Sequence, residues 1–450
     1  MLCSALIIHS RPQAQAGNVN MKVAVLGGYG LIGSACIRAL KRDGNTVIGV
    51  GRSASQGQRC DPSIDWITLD IARTSAPEWR TALTDIDVIV NASGILQDGP
   101  GNSLTAIHET AIANIVEGLA NTKTRFIQIS AAGVSETAST AFFRSKARGD
   151  QILITSEIDW VILRPTVVFS PQAYGGTAFL RACAAFPIIT PKTLENSPMQ
   201  TVAITDVANA VALAASGKIP TGTIADLTEE TTHTLQETLE AIRKWQGFKP
   251  WRFGIRIPYP LIRLTGKCAD ALGWLGWRIP LRSTALTVLE EGVTGDPTTW
   301  INAGGTPCKS LTETLSEIPA TTQERWFARL FLMLPIAVAT LAIFWLLTGI
   351  IALITRDQAI TLLLDHNFPE PLATLTVIGG SFIDIALGAT ILIRRFARPA
   401  AIAMALMSIA YLIGGTIGAP DLWLDPIGPL LKILPSITLA LFTAAILDER

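Results

Sequence analysis

KVAVLGGYGLIGSACIRA, residues 22–39, decides the reading of this chain. A short apolar strand, Lys22 to Leu26, runs straight into glycines at 27, 28, 30 and 33 and then into a helix over 31–40. That succession suits a pyrophosphate. Gly27 lets the chain turn sharply off the strand, Gly30 removes the side chain where backbone must approach the phosphates, and Gly33 lets the helix pack against the strand. The helix N-terminus then faces the anion with free N–H groups and a partial positive charge. Tyr29, Leu31 and Ile32 lie in the same turn and join the glycines as candidate contacts to a dinucleotide.

Outward from this turn, strand and helix patterns alternate. NTVIGV, WITLD, DVIVNAS, TRFIQIS and DWVILRP read as buried parallel strands separated by stretches of helical periodicity. The expected fold class is α/β, a doubly wound parallel-sheet Rossmann domain with a small C-terminal lobe, together spanning 21–248. Ligands of such sheets bind outside the C-terminal strand ends. The second strand ends in VIGVGRS, where selectivity for NAD calls for an acid on the ribose hydroxyls. Arg52 stands there instead, followed by Ser53. A guanidinium pairs with a 2′-phosphate in bidentate fashion, which favours NADP(H) over NAD(H); the plain alternative is a solvated surface arginine. The third strand ends in Leu69-Asp70-Ile71, where Asp70 either accepts a hydrogen bond from the adenine amino group or caps a helix. After the fourth, Asn91-Ala92-Ser93-Gly94 keeps side chains small beneath a cofactor, or is an ordinary turn.

The chain has 450 residues and a formal net charge of +0, a balance that argues against nucleic acid as a partner. Mean hydropathy is high at +0.39, and the excess lies after Arg329. Cys3, Cys36, Cys60, Cys183, Cys268 and Cys308 show no C-x-x-C spacing and read as reduced cytosolic thiols. His9, His108, His233 and His366 are dispersed, so no metal site is expected. Residues 1–20 lack a basic n-region and a clear cleavage site, and read as a disordered extension.

GGYGLIG (27–33), NASG (91–94), QISAAGVS (128–135), SKARGDQIL (145–153) and ILRPTVVF (162–169) resemble motifs of the short-chain dehydrogenase/reductase superfamily, in its extended and atypical branch. Within that branch the chain is similar to the atypical NAD(P)-binding proteins that include the accessory Rossmann subunit of respiratory complex I. QTVAITDVANAVALAA (200–215) and TLQETLEAIRKWQGF (234–248) resemble the strand-to-helix step and the small substrate lobe that follow. The resemblance implies that Ser130 polarises a substrate carbonyl and that Lys146 holds the nicotinamide ribose. It also implies that Pro165, Thr166 and Val167 pass over the nicotinamide, the last two meeting the carboxamide through backbone. The plain alternatives are a strand-end turn residue for Ser130 and a solvated helix lysine for Lys146. Catalytic members carry a tyrosine four residues before that lysine, on the same helical face, to exchange a proton with the substrate oxygen. Here Phe142 stands at that position, and AFFRSKARGD offers no tyrosine at a nearby register. Tyr174, in a later glycine-containing loop, is a more distant candidate phenol.

Residues 249–325 read as a membrane-proximal segment and linker. Within it Trp251, Trp274 and Trp277 interleave with basic residues, and Leu261, Leu264, Leu272 and Leu275 can share one helical face. A helix lying among lipid headgroups and a core helix of the substrate lobe fit this pattern equally. Four apolar spans follow, 330–355, 372–393, 399–418 and 426–447. Each has roughly 20 residues, enough to cross about 30 Å of hydrocarbon, so an all-α four-helix transmembrane bundle is expected over 326–450. Arg325 and Arg329 before the first span, with Arg394, Arg395 and Arg398 between the second and third, put both termini in the cytoplasm of a bacterium with the bundle in its inner membrane. Asp384, inside the second span, must face the bundle, either for function or for packing alone. LWLDPIGPLLKILPSITLALFTAAILDER (422–450), with Trp345 and Asp384, resembles the DoxX-like membrane family, which implies membrane redox chemistry and quinones.

Two functional readings follow. One is a membrane-bound NAD(P)H-dependent oxidoreductase acting on a quinone or other lipophilic substrate. The other, motivated by Phe142, is a non-catalytic NAD(P)-binding scaffold or assembly factor with a partner in a membrane, respiratory complex.

Overall fold

The strands are continuous apolar runs because both faces of the sheet are covered. In β1 (Lys22–Leu26), Val23 and Val25 face one way, among residues of α1 (Leu31–Arg42). Ala24 and Leu26 face the other way, onto Trp79, Ile112 and Ile115. The computed structural model describes residues 20–99, 101, 103–277, 279 and 281–447; residues 1–19 of the expected extension lie outside them. After β1 come β2 (Thr46–Gly51), β3 (Asp65–Thr68), β4 (Val88–Asn91), β5 (Arg125–Ile129) and β6 (Asp159–Pro165). Between them lie α2 (Ala54–Cys60), α3 (Ala76–Ala82), α4 (Ala111–Gly118) and α5 (Ala141–Ile154). The sheet order is Thr223–Leu227, β6, β5, β4, β1, β2, β3, all parallel. The order reverses between β1 and β4, which opens the crevice where such sheets take ligands.

A lobe follows, formed by α6 (Gly175–Ala184) and α8 (Leu235–Trp245), while α7 (Ile204–Ala215) packs back on the sheet. Thr234 and Glu237 close a capping box at the start of α8. Beyond α9 (Tyr259–Trp274) and α10 (Ser283–Glu291), the expected linker turns out to be part of the soluble core. Trp300, on α11 (Thr298–Asn302), is 2% exposed in the same cluster as Val23 and Val25. Leu311 and Leu315, on α12 (Leu311–Glu317), fill the lobe beside Leu239 and Ile242. Polar bonds hold this return: Glu229 accepts from the Leu311 N–H at 2.7 Å, and Asp206 from the Lys309 N–H at 2.8 Å.

Among the described residues, three helices are long and apolar enough to cross a membrane: α13 (Thr322–Ile354), α15 (Glu370–Thr390) and α16 (Arg394–Gly418). The short α14 (Arg356–Asp365) precedes the second of them. The fourth expected span is shorter than its apolar run. Pro426, Gly428 at φ 60° and Pro429 keep the chain in turns, and α17 (Ile433–Ile446) has 14 residues. At 1.5 Å per residue that is about 21 Å. It still packs with the others, since Ala440, Ala444 and Leu447 share a cluster with Trp345, Ile391 and Ala397. Small residues bring α13 against α15: a Cβ at Gly349 would lie 2.6 Å from the Ser381 carbonyl.

The soluble and membrane parts are bolted together. Arg181, fully buried, reaches Glu324 at the start of α13 at 2.7 Å and stacks 4.9 Å from the Trp245 ring. Trp277 donates to the Leu392 carbonyl at 2.6 Å, and the Arg394 N–H to that of Leu275 at 3.0 Å.

Candidate functional site

The turn after β1 is the tightest part of the crevice. Gly27 takes φ 68°, a left-handed conformation that favours glycine, and the Gly27 and Gly28 N–H groups donate to the Val50 carbonyl at 3.0 and 3.3 Å. A Cβ at Gly33 would overlap the Gly27 carbonyl, so α1 approaches the turn only because that atom is absent. Gly30 caps α1 without any side-chain bond, leaving the first turn, Leu31 and Ile32 included, presented to a ligand. This cradle fits a pyrophosphate. Ala92 and Ser93 lie against it from the end of β4: a Cβ at Gly27 would stand 3.0 Å from the Ser93 Cα.

On the β2 side, Tyr29 lies over Gly51, and its hydroxyl accepts from the Arg52 N–H at 3.0 Å. Arg52 is exposed at the strand end, and the Ser53 hydroxyl accepts from the Gln56 N–H, capping α2. Asp70 is occupied locally: Oδ1 accepts from the Ala72 N–H at 3.2 Å, closing its own turn. Ile71 packs against the sheet core.

At the β4–β5 side the structure gathers residues that the sequence left scattered. Lys146, 6% exposed, donates to the Ile129 carbonyl at 3.0 Å, and its Nζ lies 3.7 Å from where a Cβ at the exposed Gly94 would stand. Phe142, one turn earlier on α5, lies 5.8 Å from that Nζ, so it holds the place of the missing phenol. Burial pushes the Lys146 ammonium down to about 8, against the opposing pull of Asp150. The Ser130 hydroxyl is engaged by a carboxylate. Ser130, 4% exposed, donates to Asp150 Oδ2 at 2.8 Å, and Arg164 reaches the same oxygen at 2.9 Å. Burial raises the Asp150 carboxyl above its ordinary value, opposed by Arg164 and Ser130. Ser130 thus serves a buried ion pair, and the expectation that it polarises a substrate carbonyl does not match this placement.

The backbone after β6 is engaged in the sheet as well. The Thr166 N–H donates to the Leu227 carbonyl and that of Val167 to the Gln200 carbonyl, so neither donor is left for a carboxamide. Pro165 likewise ends β6 with its carbonyl taken by the Ala132 N–H at 3.1 Å. Tyr174, 52% exposed, is the N-cap of α6.

His108 was not singled out by sequence reasoning. Buried at 2% exposure, its Nε2 accepts from the Ile95 N–H at 3.2 Å, and Nδ1 lies 2.9 Å from the Ser145 hydroxyl. Ser145 in turn donates to the Phe142 carbonyl at 3.0 Å. This chain of donors requires the neutral Nδ1–H tautomer. Burial, helped by the Lys146 charge, pushes the imidazole down to about 3, so it stays neutral. Two signals were readable: Asp150 lies one turn beyond Lys146, and Arg164 interrupts an apolar strand.

Residues 27–212 match the NAD(P)H-binding family, and residues 342–441 the DoxX-like family. An NAD(P)H-binding Rossmann domain is joined to a DoxX-like membrane domain. No curated protein matches the chain in sequence. Among solved structures, the NADPH-dependent quinone oxidoreductase of Escherichia coli, solved with NADPH, superposes with a TM-score of 0.51 at 15% identity. The alignment covers 66% of this chain and 99% of that one. The UDP-glucose 4-epimerase of Thermotoga maritima, solved with UDP-glucose, gives 0.50 at 14% identity, over 69% of this chain and 100% of that one. At these identities the likeness is one of fold. The glycine cradle lies at the switch point of this Rossmann sheet.

Proposed function

We propose that this protein is a membrane-bound NADPH-dependent oxidoreductase whose substrate is a quinone or a similarly lipophilic electron acceptor. The observation that carries this reading is the direct contact between the cofactor-domain lobe and the apolar helices, through Arg181–Glu324 and Trp277–Leu392. Gly27, Gly30 and Gly33 hold the pyrophosphate, Arg52 and Ser53 receive the 2′-phosphate, and Lys146 holds the nicotinamide ribose beside Gly94. Bound NADPH supplies a hydride; with one proton from water, a quinone leaves as hydroquinone. A quinone suits a site with Phe142, because reduction of its conjugated ring does not depend on a side-chain acid as reduction of an isolated ketone does. The fold likeness to a quinone oxidoreductase supports this choice without deciding it.

The cofactor domain lies on the cytoplasmic side of a bacterial inner membrane in this reading. Arg325, Arg329, Arg394, Arg395 and Arg398 cluster at the bundle end nearest that domain, in keeping with positive charge inside. Leu447 shares a cluster with Ile391 and Ala397, which brings the end of α17 back to the same side.

Full-length protein in nanodiscs should oxidise NADPH when given a soluble quinone, whereas a Gly30→Asp variant should not. Turnover no higher than in that variant refutes the reading. The alternative, an NAD(P)-binding scaffold for a membrane complex, draws on Phe142 and the diverted Ser130. It predicts that NADPH raises the melting temperature without being consumed.

A further inference from the structure

α9 carries an apolar stripe that the described protein leaves uncovered. Leu261, Leu264, Cys268, Ala271 and, just past its end, Leu275 recur at intervals of three and four, and all are exposed, Leu264 at 56%. The opposite face is the one packed on protein: Gly266 and Ala269 are buried, with Gly266 against Leu286 of α10. A short strand before the helix adds Phe253 at 65% exposure and Ile255 at 51%. Trp274 is exposed at 69%. The charge on the helix beside this surface is mainly positive, with Glu290 of α10 accepting from the Tyr259 hydroxyl at 2.6 Å. Arg256, Arg263 and Lys267 are exposed, while Asp270, the one acidic residue of α9, is occupied by Arg282 at 3.2 Å and by Gln97 at 3.1 Å.

The helix is also tied to the end of the apolar bundle. Leu275 and Trp277, just beyond its end, bond Arg394 and Leu392 in the turn between α15 and α16. That turn lies at the bundle end facing the soluble domain. The exposed Leu275 at the end of the stripe thus adjoins the turn between two of the apolar helices.

We propose that α9 is an interfacial membrane helix, with its stripe in the acyl boundary of an anionic leaflet and Arg256, Arg263 and Lys267 on the headgroup phosphates. Gln97, three residues past Gly94, bonds Asp270 of this helix, so the nicotinamide end of the crevice stands over the leaflet and takes its substrate from the lipid. This last step rests on the oxidoreductase reading; the placement of α9 does not.

The test uses the full chain in nanodiscs of mixed phosphatidylglycerol and phosphatidylcholine. With Cys3→Ser and Cys60→Ser, a nitroxide on Cys268 should collide more with oxygen than with a water-soluble nickel chelate. A label at Ala141→Cys, exposed on the soluble domain, should show the reverse. A Cys268 label as accessible to nickel as the Ala141 control overturns the placement. For delivery, Leu264→Asp should raise KM at least tenfold for a long-chain quinone in the bilayer, leaving a short soluble quinone unchanged. Equal loss for both quinones overturns delivery from lipid. Absence of turnover with either quinone, alongside a lipid-exposed Cys268, refutes the oxidoreductase reading and leaves the interfacial helix standing.

Discussion

Lys146 Nζ stands 5.8 Å from the centre of the Phe142 ring, one helical turn away, and Phe142 lies edge-on to His108 with ring centres 5.8 Å apart. In the lysine–tyrosine pair that the sequence resemblance implies, Lys146 takes the lysine position and Phe142 stands where the phenol would be. Phe142→Tyr should therefore raise kcat for a small ketone at saturating NADPH, within the roughly 10²–10⁴-fold that general acid catalysis provides. Cofactor affinity should stay unchanged. A kcat unaltered by this substitution would show that substrate oxygens do not reach this position.

Gly30→Asp should separate stability from binding. Gly30 has φ −73° and ψ 171°, backbone that any residue adopts, with a Cβ there 3.1 Å from the Gly27 carbonyl, and it is the N-cap of α1. Aspartate caps better than glycine by only about a few tenths of a kcal/mol, which offsets the tight contact with the Gly27 carbonyl. Its carboxylate would also fill and repel the place of the pyrophosphate. The apo protein should melt at about the same temperature, while NADPH binding by calorimetry falls at least a hundredfold.

Much of this cradle was legible because its causes are local. The turn after Leu26 needs glycines within seven residues, and β1, β4 and β5 are apolar whichever partners cover them. Apolar runs likewise located α13, α15 and α16. The ion pair that engages Ser130 was not legible, because Asp150 and Arg164 lie 20 and 34 residues further along, on α5 and β6. Trp300 and Leu311 return to the core through packing that no local pattern announces. The start of α17 was overextended because hydropathy counts Pro426 to Lys432 as apolar while prolines and Gly428 prevent helix there.

Arg52→Asp should invert cofactor preference. Arg52 ends β2 beside Tyr29, where a carboxylate would accept from ribose hydroxyls and repel a 2′-phosphate. The ratio of NADPH to NADH dissociation constants should shift at least tenfold toward NADH, read by fluorescence titration. Equal affinities before and after would make Arg52 a surface arginine.

His108 makes the soluble domain acid-sensitive. The folded state keeps the imidazole neutral down to about pH 3, while an unfolded chain takes up the proton near pH 6.5. Its contribution is fully present above pH 6.5 and is lost toward pH 3, by about 1.4 kcal/mol per pH unit. His108→Gln should flatten the fall in melting temperature across that window, at some cost at neutral pH from the lost Ile95 and Ser145 bonds.

Inside the bundle, the Tyr411 hydroxyl donates to Asp384 Oδ1 at 2.9 Å and ties α16 to α15. Asp384 is 6% exposed, so removing its donor leaves an acceptor with neither water nor partner, which costs about 1–3 kcal/mol. Asp384→Asn keeps an oxygen for Tyr411 at nearly the same shape. In detergent, Tyr411→Phe should therefore lower the unfolding midpoint more than Asp384→Asn. Comparing quinone turnover in the two variants at matched folded fraction then separates the roles of the carboxyl. Turnover retained in Asp384→Asn marks a packing bond, and turnover lost there with the fold intact marks a carboxyl that exchanges a proton.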